Sequence, residues 1–173
     1  MLSVVLLRRI NVTGGHVRMA DLLETFSDAG YPDAVSVLAS GNVIVNSQDP
    51  VNSGSIERKI VDRHGFISEA FVRTQPEILD VIDDCPFTNE GAKVEVVFMQ
   101  LPATMEVIES VGEIATGPDA LEVIGREIFW RRPVPLGESI PKERHLKVAI
   151  GADSTRRTMA TVERIAAKME HWA

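Results

Sequence analysis

Aromatic residues are scarce in this chain, and so are cysteines and long apolar runs. With 5% aromatic content, the 173 residues must build their core mainly from Val, Ile, Leu, Ala and Met. A single cysteine, Cys85, excludes an internal disulfide framework and is typical of a cytoplasmic setting. No stretch approaches the roughly 20 apolar residues that a membrane span needs. The first apolar run precedes two arginines, whereas in a signal peptide the positive charge comes first. We therefore expect a cytoplasmic protein without membrane contact.

Positive charge is also scarce over most of the chain. Residues 1–125 carry 8 Lys/Arg against 19 Asp/Glu, whereas residues 126–173 carry 10 against 6, and the net charge is −7. An acidic chain repels the phosphate backbone, so the composition disfavours nucleic acid as a partner. The basic C-terminal segment is either a local patch or a solvated face, and the second reading is the simpler one.

The first part of the sequence alternates between strand and helix patterns. Val4 to Leu7 are apolar at consecutive positions, which predicts a central strand covered on both faces. The segment "AVSVLASGNVIVNS" predicts a hairpin with a two-residue turn at Gly41-Asn42. With helices over "MADLLETFSDAGY" and "SIERKIVDRHG" and a strand over "FISEAFVR", residues 3–73 follow the ferredoxin-like order strand, helix, strand, strand, helix, strand. The expected buried face of the second helix consists of Ile56, Ile60 and Val61.

Thr74 and Glu77 predict a capping box for the last helix of the first part, and the turn-rich segment "DDCPFTNEGAK" then marks a boundary. After this boundary, the second part repeats the order of strands and helices less clearly. "VEVVFMQL" predicts a strand, Pro102 is expected to open a helix, and a hairpin is expected around Gly125-Arg126. We expect the segment from "RRPVPLG" to "ERH" to be mostly loop. The helix that opens at Pro102 is expected to bury Val107, Ile108, Val111 and Ile114, and the C-terminal helix Met159, Val162, Ile165, Ala166 and Met169.

These patterns predict an α+β protein. Residues 1–84 form a ferredoxin-like βαββαβ half with a Gly-Gly loop and an "SGN" turn, and residues 92–173 form a related but looser α+β half with a C-terminal amphipathic helix. Whether the halves make one compact unit stays open. No residue-level repeat is visible, so a duplication rests on topology alone.

The stretch "LLRRINVTGGHVRM" is the main candidate for a functional site. In the ferredoxin-like order, the "ASGNV" turn lies at the same end of the sheet as this stretch. Gly14 and Gly15 allow backbone N–H groups to point into a common hollow, which would attract an anion, and the following helix adds its positive dipole end. Neither the Walker nor the dinucleotide glycine pattern is present. The simpler alternative is a glycine turn that orients the helix, with Asn11 and Asn42 satisfying backbone groups.

Other chemistry has little support in the sequence. The four histidines lack metal-ligand spacing, so we assign no metal and no cofactor. His64 precedes Gly65, where a helix dipole would favour a cation, and Cys85 has no activating base nearby in sequence. RNA recognition would need aromatic residues on the first and third strands, and both lack them. "FWRRPVP" could contribute to a basic, partly aromatic surface, but we expect Trp130 to point inward.

The quoted stretch and the "SVLASGNVIVNS" segment resemble the bacterial family called Domain of Unknown Function 1697. Its members begin with an "LLRGINVGG" run and later carry "SGNV". The resemblance extends to Cys85-Pro86-Phe87 and to "RRTMATVERI", and it implies an α+β fold without an assigned activity. The departures are Arg9 where the family has glycine, Arg157-Thr158 where it has Asn-Trp, and no aromatic before "SGN". The matching positions in the first part are Leu6, Leu7, Arg8, Ile10, Asn11, Val12, Gly14, Gly15, Met19, Leu22, Gly30, Ser40, Gly41, Asn42 and Val43.

Three functional hypotheses follow. The first is a binding module for a small anionic or nucleotide-like ligand, in which arginine forks hold phosphate or carboxylate. The second is a protein–protein or regulatory module without chemistry, as a monomer or homodimer. The third is an enzyme, which ranks last because no catalytic constellation is recognisable. The residues expected at the ligand site are Arg8, Asn11, Gly14, Gly15, Ser40, Gly41, Asn42 and Arg156.

Overall fold

The computed structural model describes residues 1–10, 17–88, 90–133 and 141–172. Within these residues the chain forms six helices and two four-stranded antiparallel sheets, which is an α+β fold. The elements of the first half are β1 (Leu2–Leu7), α1 (Met19–Asp28), β2 (Val35–Ser36), β3 (Asn42–Asn46), α2 (Ser53–His64), β4 (Ala70–Thr74) and α3 (Gln75–Asp83). Those of the second half are β5 (Ala92–Met99), α4 (Met105–Ile114), β6 (Ala120–Ile124), β7 (Glu127–Pro133), α5 (Glu143–Ile150), β8 (Ser154–Thr158) and α6 (Met159–Glu170).

The first sheet has the strand order β2-β3-β1-β4, with α1 and α2 as the two connecting helices. This is the ferredoxin-like order that the sequence predicts. β1 is hydrogen-bonded to β3 on one side and to β4 on the other, and both pairings are antiparallel. Its residues Val4 to Leu7 are all buried, which confirms a central strand with both faces covered.

The helices α1 and α2 pack onto one face of this sheet. Leu22 and Phe26 of α1 and Ile56 and Ile60 of α2 lie in the same apolar cluster as β1 and β3 residues. α2 begins after Asn52, whose side chain accepts a hydrogen bond from the Ser55 N–H at 3.0 Å. Val61 is 42% exposed, so its predicted place on the buried face is wrong; its position follows Ile60 directly and turns about 100° away from it.

The turn before β3 is wider than predicted. Val35 pairs with Ile44 and Ser36 with Val43, so residues 37–41 form the connection and Asn42 already belongs to β3. The two-residue Gly41-Asn42 turn is therefore a wrong prediction. Leu38 takes a positive φ of 59° as well as Gly41, which lets the chain reverse over the longer path.

The second sheet has the order β6-β7-β5-β8, which is the same arrangement as in the first half. The hairpin turns at Gly125-Arg126, as predicted, because Ile124 pairs with Glu127. Pro102 does not open α4: the helix begins at Met105, after Thr104 accepts a hydrogen bond from the Val107 N–H. Ile108 is 39% exposed, although Val111 is buried as expected.

Two elements of the second half were not predicted. α5 offers only Leu146 and Ile150 as buried apolar residues, and β8, "STRRT", has no aliphatic or aromatic residue. α6 runs from Met159 to Glu170, and all five residues of its expected apolar face are buried.

The chain forms two compact units. One comprises residues 1–79 together with the chain from Glu163 onward, and the other spans Asp80–Val162. The sequence places the boundary slightly later, within residues 85–91, and assigns the whole C-terminal helix to the second half. The domain boundaries remain a prediction, because compactness does not show that either part folds alone.

Candidate functional site

The first candidate site begins where β1 ends. Leu7 donates its N–H to the Gly41 carbonyl at 2.7 Å, which holds the turn before β3 beside the end of β1. Arg8 follows, and its N–H donates to the Glu69 carbonyl at 2.9 Å, just before β4. Arg9 then takes a positive φ of 62°, which ends the strand. The structure therefore brings the segments before β3 and β4 to the end of β1.

Gly41 is required at this contact for two reasons. Its φ is +71°, and a Cβ atom there would lie 2.9 Å from Ile10 Cγ2 and 3.2 Å from Leu7 Cβ. A larger residue would be strained and would push the turn away from the end of β1. The glycine of the "SGN" turn thus fixes the distance between the two chain segments.

Asn42 and Ser40 form hydrogen bonds within the turn. Asn42 is fully buried, and its Nδ2 donates to the Val37 carbonyl at 3.0 Å and to Ser40 Oγ at 2.8 Å. Asn42 therefore stabilises the turn, as the simpler alternative proposed. Ser40 is exposed, and because its oxygen accepts from Asn42, its own O–H proton points elsewhere.

The charge at the end of β1 is shared among three side chains. Glu69 Oε1 lies 3.4 Å from Arg8 Nη1 and 3.6 Å from Arg9 Nη1. The Arg8 side chain is only 16% exposed, whereas that of Arg9 is 44% exposed. Two guanidinium groups and one carboxylate leave one excess positive charge among these residues. Arg8 is thus partly neutralised, and Arg9 is the more accessible cation.

Three of the expected site residues, Asn11, Gly14 and Gly15, lie outside the described residues. The helix that follows them, α1, begins after Arg18, whose side chain forms no capping hydrogen bond. Arg18 instead pairs with Asp21, with Nε 2.9 Å from Oδ2, and this pairing lowers the pKa of Asp21.

Arg156 lies on β8, in the second compact unit, and has partners there. Its Nη1 lies 3.5 Å from Glu95 Oε2. Arg132 Nη1 lies 3.0 Å from the same oxygen, and Lys93 Nζ lies 3.2 Å from Glu95 Oε1. Sequence reasoning missed this group of four charged side chains. The available signal was Glu95 itself, a lone carboxylate inside the apolar strand "VEVVFM".

The electrostatics of Glu95 follow from these contacts. Its side chain is 5% exposed, and burial alone would raise its pKa. Arg156, Arg132 and Lys93 outweigh burial and hold the pKa of Glu95 below its usual value. Glu95 is therefore ionised at neutral pH and binds three cations from β5, β7 and β8.

Trp130 is fully buried beside this group, which confirms that it points inward. Its Nε1–H donates to Asp119 Oδ1 at 2.7 Å. Arg132 Cζ lies 4.4 Å and Arg156 Cζ 5.6 Å from the ring centroid, distances at which cation–π attraction operates.

Two arginines, Arg73 on β4 and Arg157 on β8, repeat one contact. Arg73 is fully buried and donates from Nη1 to the carbonyl of the preceding residue, Val72, at 2.9 Å. Arg157 makes the same contact with the carbonyl of Arg156 at 2.8 Å. Burial lowers the pKa of Arg157 to about 10, so it stays protonated at neutral pH.

His64, at the end of α2, is hydrogen-bonded to α1. Its Nε2 lies 2.8 Å from Thr25 Oγ1, and Thr25 donates its own proton to the Asp21 carbonyl. Nε2 therefore donates to Thr25. Burial lowers the pKa of His64, and the adjacent Arg63 lowers it further, so the helix dipole does not make it a cation as the sequence suggested.

Within the described parts of the chain, no group of three or more His, Cys, Asp or Glu side chains is arranged to hold a metal ion. Of the helices described, none combines the length and the apolar character of a membrane span.

Comparison with known proteins identifies the family. The chain belongs to DUF1697, a family of proteins of unknown function, whose model matches residues 1–129. Among solved structures, the conserved bacterial protein SP0830 from Streptococcus pneumoniae is similar, with a TM-score of 0.77, 20% sequence identity and 98% of each chain covered. At this identity, the likeness shows the fold alone. None of the curated proteins matches the chain.

Proposed function

We propose that the first half of this protein binds a small anionic or nucleotide-like ligand at the end of β1. The observation that carries the proposal is the hydrogen bond between the Leu7 N–H and the Gly41 carbonyl. It holds the "SGN" turn beside the point where Arg8 and Arg9 share Glu69. Asn11, Gly14 and Gly15, which follow these arginines in the sequence, belong to the predicted site and lie outside the described residues.

Two described side chains offer donors to such a ligand. The Arg9 guanidinium is the more exposed of the two cations, and guanidinium groups bind phosphate or carboxylate through paired N–H donors. Ser40 is exposed and has an O–H proton that its bond with Asn42 does not use. The excess positive charge of the Arg8–Arg9–Glu69 group attracts the anion, and the Ser40 hydroxyl orients it.

Glu69 favours a ligand that is more than a bare anion. Its Oε2 atom is buried and receives no hydrogen bond from the residues described. A buried carboxylate oxygen without a donor is costly. A ligand that carries a hydroxyl or N–H group beside its negative charge would supply this donor, and nucleotides meet both requirements.

Isothermal titration calorimetry with adenosine monophosphate tests the proposal, with sodium chloride at equal ionic strength as the reference. We expect saturable binding that Arg9→Gln weakens about tenfold, the factor that corresponds to about 1.4 kcal/mol. Arg58→Gln is the matched control, because Arg58 is an exposed arginine on α2 and its loss changes the net charge equally. Absence of heat with the wild-type chain, or an equal loss in both variants, contradicts the proposal.

Arg9→Gly separates binding from folding. Glycine adopts the positive φ of position 9 without strain, so this variant should be as stable as the wild type or up to about 1 kcal/mol more stable. It lacks the guanidinium and should bind as weakly as Arg9→Gln. A stable Arg9→Gly variant with full affinity would show that Arg9 does not contact the ligand.

A second candidate, an interaction module without chemistry, is favoured by exposed apolar side chains before and in α4. Leu101 is 76% exposed and Met105 is 68% exposed. We propose self-association through these side chains as the form to test. Sedimentation velocity should then show a dimer that Leu101→Asp dissociates, and a monomer across the accessible concentration range counts against it.

A further inference from the structure

The second half contains a charged cluster that the proposed function does not use. It consists of Lys93, Glu95, Arg132 and Arg156, with Trp130 beside it. The three cations come from β5, β7 and β8, the three adjacent strands of the second sheet. Lys93 lies directly opposite Arg132 in the strand register, and Glu95 lies opposite Trp130. The register therefore places Lys93, Glu95 and Arg132 near the beginning of β5, and Arg156, which lies opposite Val97, reaches Glu95 from β8.

Burial in this cluster separates the two signs of charge. The carboxylates form the floor: the Glu95 side chain is 5% exposed, and Asp119, which accepts from Trp130, is 6% exposed. The cations form the rim, with side-chain exposures of 13% for Arg132, 33% for Arg156 and 39% for Lys93. An approaching ligand therefore meets positive groups before it meets negative ones.

The cations are also held in place before any ligand binds. Both guanidinium groups lie against the Trp130 ring and on Glu95 Oε2, and the hydrogen bond to Asp119 fixes the ring itself. The arginines make further contacts as well. Lys93 contributes an ammonium with three donors, of which the contact with Glu95 needs one. Preorganised cations bind an anion without the entropy cost of ordering them.

We propose that this cluster is an oxyanion-binding site, with Lys93, Arg132 and Arg156 as the binding residues and Glu95 and Trp130 as positioning residues. Three positive and two negative groups leave one excess positive charge among the residues named. The ligand carries a phosphate or carboxylate group. The site differs from the one proposed above, because the sheet positions that correspond to Glu95, Trp130 and Arg156 in the first half are Ser3, Val45 and Val72.

Trp130 provides a direct readout. The chain has two tryptophans, so in a Trp172→Phe background the emission reports Trp130 alone. Titration with inorganic phosphate, and separately with acetate, is compared with sodium chloride at equal ionic strength. We expect a saturable change in Trp130 emission with phosphate, which Lys93→Gln weakens about tenfold. Lys59→Gln, which removes an exposed lysine from α2, should leave the titration unchanged.

The outcomes separate this site from the proposed one. A saturable response to phosphate alone supports a phosphate-type ligand, and a response to both probes supports a general oxyanion site. No response to either probe beyond that of chloride overturns the proposal, and so does equal weakening by Lys93→Gln and Lys59→Gln. Arg9→Gln should leave the Trp130 signal unchanged, and loss of the signal in that variant would overturn its assignment to the second half.

Discussion

The two halves of this chain share one strand order, but their charged groups lie at opposite ends of the central strand. In the first half, Arg8, Arg9 and Glu69 lie where the central strand ends. In the second half, Lys93 and Glu95 lie where the central strand begins. Features that both halves retain are requirements of the fold, whereas a charged group found in one half alone is an addition of that half.

The shared features are local and specific. Leu7 N–H bonds to the Gly41 carbonyl in the first half, and Met99 N–H bonds to the Arg126 carbonyl in the second. Arg73 and Arg157 occupy the same register position, opposite Val4 and Val96, and make the same bond to the preceding carbonyl. This is the residue-level correspondence that the sequence did not reveal.

The connection after the central strand shows the main difference. Residues 100–104 join β5 to α4 and end in the Thr104 cap. Residues 8–18 join β1 to α1, and the side chain of the N-cap residue, Arg18, forms no capping hydrogen bond. The longer connection is not needed to build the fold, because the second half does without it. Extra chain of this kind is where binding residues are commonly found.

The largest expected effect on the free energy of unfolding comes from neutralising Glu95, and Glu69 is the corresponding test in the first half. Glu95→Gln should lower the free energy of unfolding by about 3 kcal/mol, because it leaves three cations around a buried neutral group. Glu69→Gln should cost about 1 kcal/mol, since Glu69 is 22% exposed and its pairs are longer. Urea denaturation of both variants measures the difference. If Glu69→Gln costs as much as Glu95→Gln, the contrast between the halves is wrong.

The next effect tests the shared framework. Thr74 Oγ1 accepts from the Glu77 N–H at 3.5 Å, and Thr158 Oγ1 accepts from the Thr161 N–H at 3.2 Å. Thr74 follows the buried Arg73 and Thr158 follows the partly buried Arg157, and each threonine caps the next helix. We expect Thr74→Ala and Thr158→Ala each to cost about 1 kcal/mol in thermal or urea unfolding. If only one of the two substitutions lowers the free energy of unfolding, the two threonines do not contribute equally to the stability of the protein.

The smallest effect depends on pH and concerns the first half alone. The pKa of His64 is lowered in the folded protein, so the unfolded chain binds this proton more readily. Stability from His64 is therefore present above the unfolded pKa of about 6.5 and falls as the pH drops below it. Unfolding free energies between pH 7.5 and 5.5 should decline less in His64→Gln than in the wild type. If the unfolding free energies of His64→Gln and the wild type decline equally, His64 does not contribute to the pH dependence of stability.

Much of the fold could be predicted because apolar periodicity marks most of its elements. The run from Val4 to Leu7 predicts the central strand, and the α6 pattern predicts the buried face of that helix. β8 was missed because it has no aliphatic or aromatic residue to mark it as a strand. Its two arginines are partly buried, and they form hydrogen bonds and ion pairs there. Strand pairing with β5 overrides a local pattern that favours a loop.

The candidate site was predicted only in outline. Topology places the "SGN" turn at the end of β1, but the sequence does not show that Glu69 precedes β4 beside Arg8 or that Asn42 is used inside its own turn. The cluster around Glu95 depends on the register of three strands. Residues 93, 132 and 156 are far apart in the chain, and only the pairings of β5 with β7 and β8 bring them together.

The proposal for the first half is tested most directly by a two-dimensional 15N NMR titration with adenosine monophosphate. We predict saturable shift changes at Arg9, Ser40 and Gly41 with a common dissociation constant, and loss of these changes in Arg9→Gly. The amides of Arg58 and Lys59 on α2 serve as the internal reference and should not move. If the amides at the end of β1 and in the turn stay unchanged at saturating ligand, the first half has no such site.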